Sequence, residues 1–131
     1  MEGDYAMNLF VLLGALNGFL SVALGAFGAH VLEGRIDPGY IDTWQTAVRY
    51  EMFHAAGLLV IGLLMEKLRD HKWLKWSGWL MFAGIIIFSG SLYVLCGTGI
   101  KVFGAITPIG GVLFLAAWVL LMVAAKNGFR G

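Results

Sequence analysis

The sequence predicts an all-α fold, an integral membrane four-helix bundle running up-down-up-down with short connections, and three observations carry that prediction. Of the 131 residues, 60% are hydrophobic and 13% charged, with a mean hydropathy of +0.82, far from the composition of a water-soluble domain. The apolar residues fall into four stretches, three of membrane length and a shorter one that has to extend backwards through charged residues. The links between them are too short for anything but antiparallel neighbours. The whole chain, 1–131, reads as a single transmembrane domain with spans at about 7–31, 43–66, 76–97 and 103–125. No internal repeat is evident.

A helix rises about 1.5 Å per residue, so roughly 20 apolar residues cross a hydrocarbon core of about 30 Å. Residues 5–29, 76–100 and 102–125 meet this length without an Asp, Glu, Lys or Arg. The first stretch is preceded by Glu2 and Asp4 and by no Lys or Arg, the opposite of a secretion signal, and is expected to stay as a membrane helix. The second is uncharged only over residues 52–65, too short to cross. It must extend back through Glu51, Arg49 and Trp44, and Asp37 followed by Pro38 supplies an N-cap and first helical position for a helix reaching Glu66. Tyr40, Trp44 and Tyr50 suit the membrane interface, where the stem of Arg49 carries its charge outward.

Positive residues favour the cytoplasm. The connection between the second and third spans holds Lys67, Arg69, Lys72 and Lys75, and the C-terminus holds Lys126 and Arg130, against Arg35, Arg49 and Lys101 elsewhere. Both termini are therefore expected on the cytoplasmic side of a bacterial plasma membrane, with Trp73, Trp76 and Trp79 along the inner interface. The net charge of +1 offers no basic stripe for nucleic acid.

Gly14, Gly18, Ser21, Gly25 and Gly28 recur at spacings of four, three, four and three, which is one face of the first helix. Small residues let a second backbone approach closely. The commoner use is packing within the bundle; the alternative is a homo-oligomer seam through the first span. Asn17 beside this face suits an interhelical hydrogen bond.

The chemistry-bearing residues collect at one end of the spans, assigned by the loop charges to the outer leaflet. They are His30, Trp44, Tyr50, Glu51, His54, Ser89, Ser91, Tyr93 and Thr107, with Pro108 beside the last. Polar groups in hydrocarbon are partnered, line a cavity, or serve a function. Tyr50 and Glu51 each share a helix face with His54. The Glu-x-x-His spacing occurs in di-iron bundles, which need a second such motif and further carboxylates that this chain lacks. His30 and His54, drawn together across the first connection, are the candidates for ligating a metal or haem; the blander reading bonds each to a backbone carbonyl. Hydroxyls such as those of Ser89 and Ser91 most often bond across helices or to their own carbonyls. Pro108 leaves the carbonyl of Gly104 without a donor if its helix starts before Gly104, and Thr107 is placed to satisfy it.

Several chemistries fall away. Cys96 is the one cysteine, which removes an internal disulfide, a redox pair and a cysteine metal cluster. The serines have no neighbouring base and orienter, so no catalytic residue is assigned. No phosphate-binding loop is present. No acidic residue is expected in the middle of a span, which speaks against a proton-coupled carrier.

GAFGAH at 25–30, WQTAVRYEMFHA at 44–55, FSGSLY at 88–93 and GAITPIGGV at 104–112 stand in order along nearly the whole chain. In these motifs the chain resembles the small bacterial membrane proteins of the YwdK and YgdD type, a family of unknown function, and it looks closest to the Gram-positive members. The resemblance implies a four-helix plasma-membrane protein and no established activity. His30, Trp44, Tyr50, His54, Ser89, Gly90, Ser91, Tyr93, Pro108, Gly110 and Gly111 lie in the shared motifs; Glu51 is not among them.

The expected function is that of a non-enzymatic membrane protein whose polar pocket binds a small solute, an ion or a lipid headgroup, with membrane lipid as a partner and no cofactor required. The alternatives are a haem- or metal-binding protein using His30 and His54, and an accessory subunit whose motifs are packing codes.

Overall fold

The computed structural model describes residues 2–68 and 71–128, so Arg69 and Arg130 of the charge count lie outside the described residues. Helix α1 (Glu2–Phe27) continues into a π-helical turn, Gly28–Leu32. Helix α2 spans Pro38–Leu64. Helix α3 (His71–Gly84), a second π-turn (Ile85–Ser89) and α4 (Gly90–Thr98) form one continuous rod, and α5 spans Val102–Lys126. Tyr5–Leu32, Pro38–Leu64, Lys72–Thr98 and Val102–Lys126 are long and apolar enough to cross a membrane. No strand occurs among the described residues.

Local chemistry sets the ends. The Oδ1 of Asp37 accepts the Gly39 N–H at 2.8 Å, and Pro38 needs no donor of its own, so α2 begins where the sequence places it. Gly99 closes α4 with φ 72°, a left-handed conformation that side chains resist. α5 starts at Val102, so Pro108 lies inside the helix and the Gly104 carbonyl has no N–H partner four residues on. The hydroxyl of Thr107 does not repair this; it bonds the Phe103 carbonyl at 3.2 Å.

The packing is lopsided. α1 lies against α2 and touches α3 slightly and α5 not at all, whereas α2 also packs on the α3–α4 rod, which pairs with α5. α2 is thus central. Its candidate span is 50% buried, against 22% for that of α1 and 17% for that of α5. Phe19, Leu63, Val112 and Leu115 face outward as a hydrocarbon sheath suited to lipid.

The glycine face of α1 is occupied by α2. A methyl group at Gly14 would fall 2.9 Å from the Ala55 carbonyl oxygen, one at Gly25 3.3 Å from Val48, and one at Gly28 2.6 Å from the Trp44 ring. A methyl at Gly18 would meet nothing within 4 Å, so the two helices part between their points of closest approach. Any seam between copies through α1 has to use its other face.

Two apolar clusters flank a polar band. Phe10, Leu58, Ile61, Leu74, Met81, Phe114 and Ala117 belong to the large core nearer the termini. Trp44, Val48 and Cys96 form a smaller one near the 28–37 and 98–101 connections. Between them lie the buried side chains of Glu51, His54, Ser89 and Ser91. Opposite this band α5 makes its tightest approach, at Gly110, where an added Cβ would collide with the backbone nitrogen of Phe88.

Gly110→Ala is therefore expected to lower unfolding stability by about 1–3 kcal/mol, because backbone must move. Gly18→Ala, on open ground, is expected to leave stability unchanged or raise it. Thermal unfolding of the two variants in detergent micelles tests this, and equal behaviour of the pair would contradict the packing described.

Candidate functional site

Depth can be read from the α1–α2 contacts. Trp44 lies level with Gly28 and Val48 with Gly25. Glu51 is seven residues further along α2, about 10 Å deeper, and His54 about 15 Å deeper. Glu51 is the middle residue of the 27-residue α2. The expectation that no acid lies at the middle of a span is thus overturned for α2: the charge-free residues begin only after Glu51, but the helix extends as far before it as after it. The polar band runs from mid-depth to the 28–37 end.

Each candidate side chain has a definite place. The indole Nε1–H of Trp44 donates to the Leu24 carbonyl at 2.8 Å and its ring lies 4.7 Å from that of Tyr93. The Tyr93 phenol donates to Glu51 Oε1 at 2.8 Å, joining α4 to α2. Ser89 donates to the Ala47 carbonyl at 2.7 Å, again onto α2. Ser91 turns the other way, its hydroxyl 2.6 Å from that of Thr107 on α5 and 2.9 Å from the Phe88 carbonyl; the two hydroxyl protons are shared among these contacts and the Phe103 carbonyl, one hydroxyl donating to the other while the second donates to its own helix. Ser89 closes the π-turn at Ile85–Ser89 and Ser91 follows in α4; residues two apart point to nearly opposite sides of a helix, so the two hydroxyls reach different neighbours.

His54 is held at both nitrogens. Its Nδ1 lies 2.8 Å from the Tyr50 carbonyl, and the Trp118 indole donates to Nε2 at 3.0 Å. An indole N–H only donates and a carbonyl only accepts, so the imidazole carries its proton on Nδ1. The ring stacks on Phe114 with centroids 3.6 Å apart and an interplanar angle of 8°. Tyr50 is half exposed and lays its ring against Phe88 at 4.4 Å.

His30 stands apart. It lies in the exposed π-turn beyond Gly28, at or above the level of Trp44, and so at least about 15 Å along the axis from His54. The two do not meet across the connection, because α1 and α2 run side by side for most of their length. A single haem or metal ion cannot take both as ligands, and His54 Nε2 is already occupied. Among the described residues no three His, Cys, Asp or Glu side chains gather to hold a metal ion.

The structure adds residues that the sequence does not single out. Trp118 and Phe114 complete the surroundings of His54, and Ser77 donates to the Ala117 carbonyl at 2.6 Å. A tryptophan deep in an apolar span is the available signal, since its N–H needs an acceptor. On α1, Asn17 and Ser21 are buried and bond the carbonyls of Leu13 and Gly18 on their own helix. They flank the open space beside Gly18, opposite the stretch of α2 between Val48 and Ala55 that contains Glu51.

Among the described residues the Glu51–Tyr93 bond is the one link between a carboxyl and another side chain in the band. Tyr93→Phe removes the donor and is expected to destabilise by about 1–3 kcal/mol, since the buried oxygen loses its partner. Pairing it with Glu51→Leu is expected to recover much of that loss. Unfolding of the single and double variants measures the difference; additive losses would contradict the coupling.

Residues 24–111 match the model of a protein family of unknown function, DUF423. The UPF0382 membrane protein YwdK of Bacillus subtilis (strain 168) is 53% identical over 119 residues, covering 91% of this chain and 97% of that protein. A UPF0382 membrane protein of Staphylococcus aureus (strain bovine RF122 / ET3-1) is 52% identical and one of Staphylococcus epidermidis (strain ATCC 35984) 50%, each over 90% of this chain and 95% of its own length. No solved structure matches the chain. With four helices of membrane-crossing character and relatives of this identity along nearly its full length, the chain belongs to the DUF423 family of membrane proteins.

Proposed function

We propose that the protein binds a small cation or amine-bearing solute within its membrane-embedded polar band, with Glu51 as the charge-complementary group. The observation that carries this reading is a carboxyl group 4% exposed at the middle of α2, bonded to a neutral phenol and to no Lys, Arg or His. Acidic side chains at such depth mark ion or proton pathways in membrane proteins. Asn17 and Ser21 supply further oxygens near the same level, and the open space beside Gly18 gives room. The protein sits in the bacterial plasma membrane with both termini cytoplasmic, a topology supported by Lys67, Lys72, Lys75 and Lys126 at the terminal end of the bundle.

A second reading, a structural or accessory subunit, is favoured by one fact: among the described residues no buried side-chain nitrogen or oxygen lacks a partner. A band so well satisfied also serves as a packing code. A membrane protein recovered with it in fixed stoichiometry from native membranes would favour this reading.

The test is thermal unfolding of purified protein against a panel of alkali, alkaline-earth and small organic ammonium ions. One class is expected to stabilise the wild type, by about 2.7 kcal/mol at a hundredfold excess over its dissociation constant. Glu51→Gln, which keeps shape and a hydrogen bond, is expected to abolish that gain. A wild type indifferent to every cation, or a Glu51→Gln variant that keeps the response, would reject the proposal.

A further inference from the structure

Arg49 stands two residues before Glu51 and faces the opposite way. Asp42, Gln45, Arg49, Met52, Phe53 and Val60 are exposed and follow one face of α2, the face turned away from the bundle. Arg49 lies on this face five residues along α2 from the level of Trp44, about 7 Å deeper along the axis. No side chain among the described residues bonds it or pairs with it. A guanidinium at that depth is costly unless an anion meets it or its stem carries it toward the interface.

The surroundings specify the anion. Arg49, Tyr50 and Phe53 line a groove of about 310 Å³ on the surface of the bundle. Its aromatic walls are fixed from behind: Tyr50 rests on Phe88, and the Phe53 ring lies 5.6 Å from that of Trp118. The site thus presents a cation toward the 28–37 end and an apolar trough running deeper. That is the profile of a glycerophospholipid, phosphate above and acyl chain below. A second copy of the chain fits poorly, because in a parallel assembly equal depths meet, and Glu51, the acid nearest in depth, is buried. Asp42 lies about two helical turns away on the same face.

We infer that the Arg49–Tyr50–Phe53 groove is a binding site for one anionic phospholipid, separate from the polar band at Glu51. The bidentate fork of arginine grips phosphate oxygens, and a net negative headgroup is preferred to a zwitterionic one, whose own ammonium competes.

The experiment is native mass spectrometry of full-length protein released from vesicles containing equal phosphatidylglycerol and phosphatidylcholine. The wild type is expected to carry one phosphatidylglycerol at about fivefold the occupancy of phosphatidylcholine. Arg49→Gln is expected to erase the preference and Arg49→Lys to keep part of it, while Phe53→Ala lowers occupancy by both lipids. Equal occupancy in the wild type overturns the inference without recourse to any variant. It is also overturned by an Arg49→Gln protein that keeps the preference, by displacement of the lipid with inorganic phosphate, or by a dimer that carries no lipid.

Discussion

The bond between His54 and Trp118 shows the constraint on which the bundle rests: α2 carries its polar side chains into the centre, and each neighbour must present a partner there. Water is absent from the hydrocarbon, so an unanswered imidazole or carboxyl costs several kcal/mol. α5 answers His54 with an indole, and α4 answers Glu51 with a phenol. α2 answers Ser89 in turn with a backbone carbonyl. Each bond adds only about 0.6 kcal/mol on average in a membrane. Their larger effect is to fix rotation and depth, because a helix slipped by one residue would leave several groups unpaired together.

Glycine and helical spacing make those partnerships reachable. α5 can approach Phe88 only because Gly110 has no side chain, and that approach brings Thr107 to Ser91 and Phe114 to the face of His54. Along the rod Ser89 and Tyr93, four residues apart, look toward α2 while Ser91, midway between them, looks toward α5. The polar band is therefore a joint product of backbone geometry and hydrogen bonding, with apolar cores above and below it.

The four helices are legible in the sequence because hydropathy and length are properties of contiguous residues, and the α2 start because Asp37–Pro38 is a local signal. The packing role of Gly14, Gly25 and Gly28 comes from helical spacing in the same way. Depth is harder. Glu51 looks peripheral when measured from the uncharged residues on its C-terminal side, and His30 and His54 look close because only a short connection separates their helices. Both errors have one origin: distance along a hairpin grows with every turn away from the connection. The π-turns have no distinctive residue pattern, and although the N–H of Trp118 signals a need for an acceptor, nothing in its own helix reveals the imidazole that supplies it.

α1 meets α2 through residues of minimal size and scarcely touches the remainder of the bundle. During synthesis it emerges before α2. Most of its partner surface is present as soon as α2 has entered the bilayer behind it, with Phe10 waiting for Gly78 and Trp79 of α3, whereas the α3–α4 rod must wait for α5. The protein can accordingly be built as two successive hairpins, and within the first Asn17, Ser21 and Trp44 already bond carbonyls of α1, whereas Glu51 and His54 look to later helices. Those two side chains spend the interval before the second hairpin arrives without their final partners. A ribosome paused between the second and third spans would hold the chain in the state where they are most open to lipid, water or a chaperone.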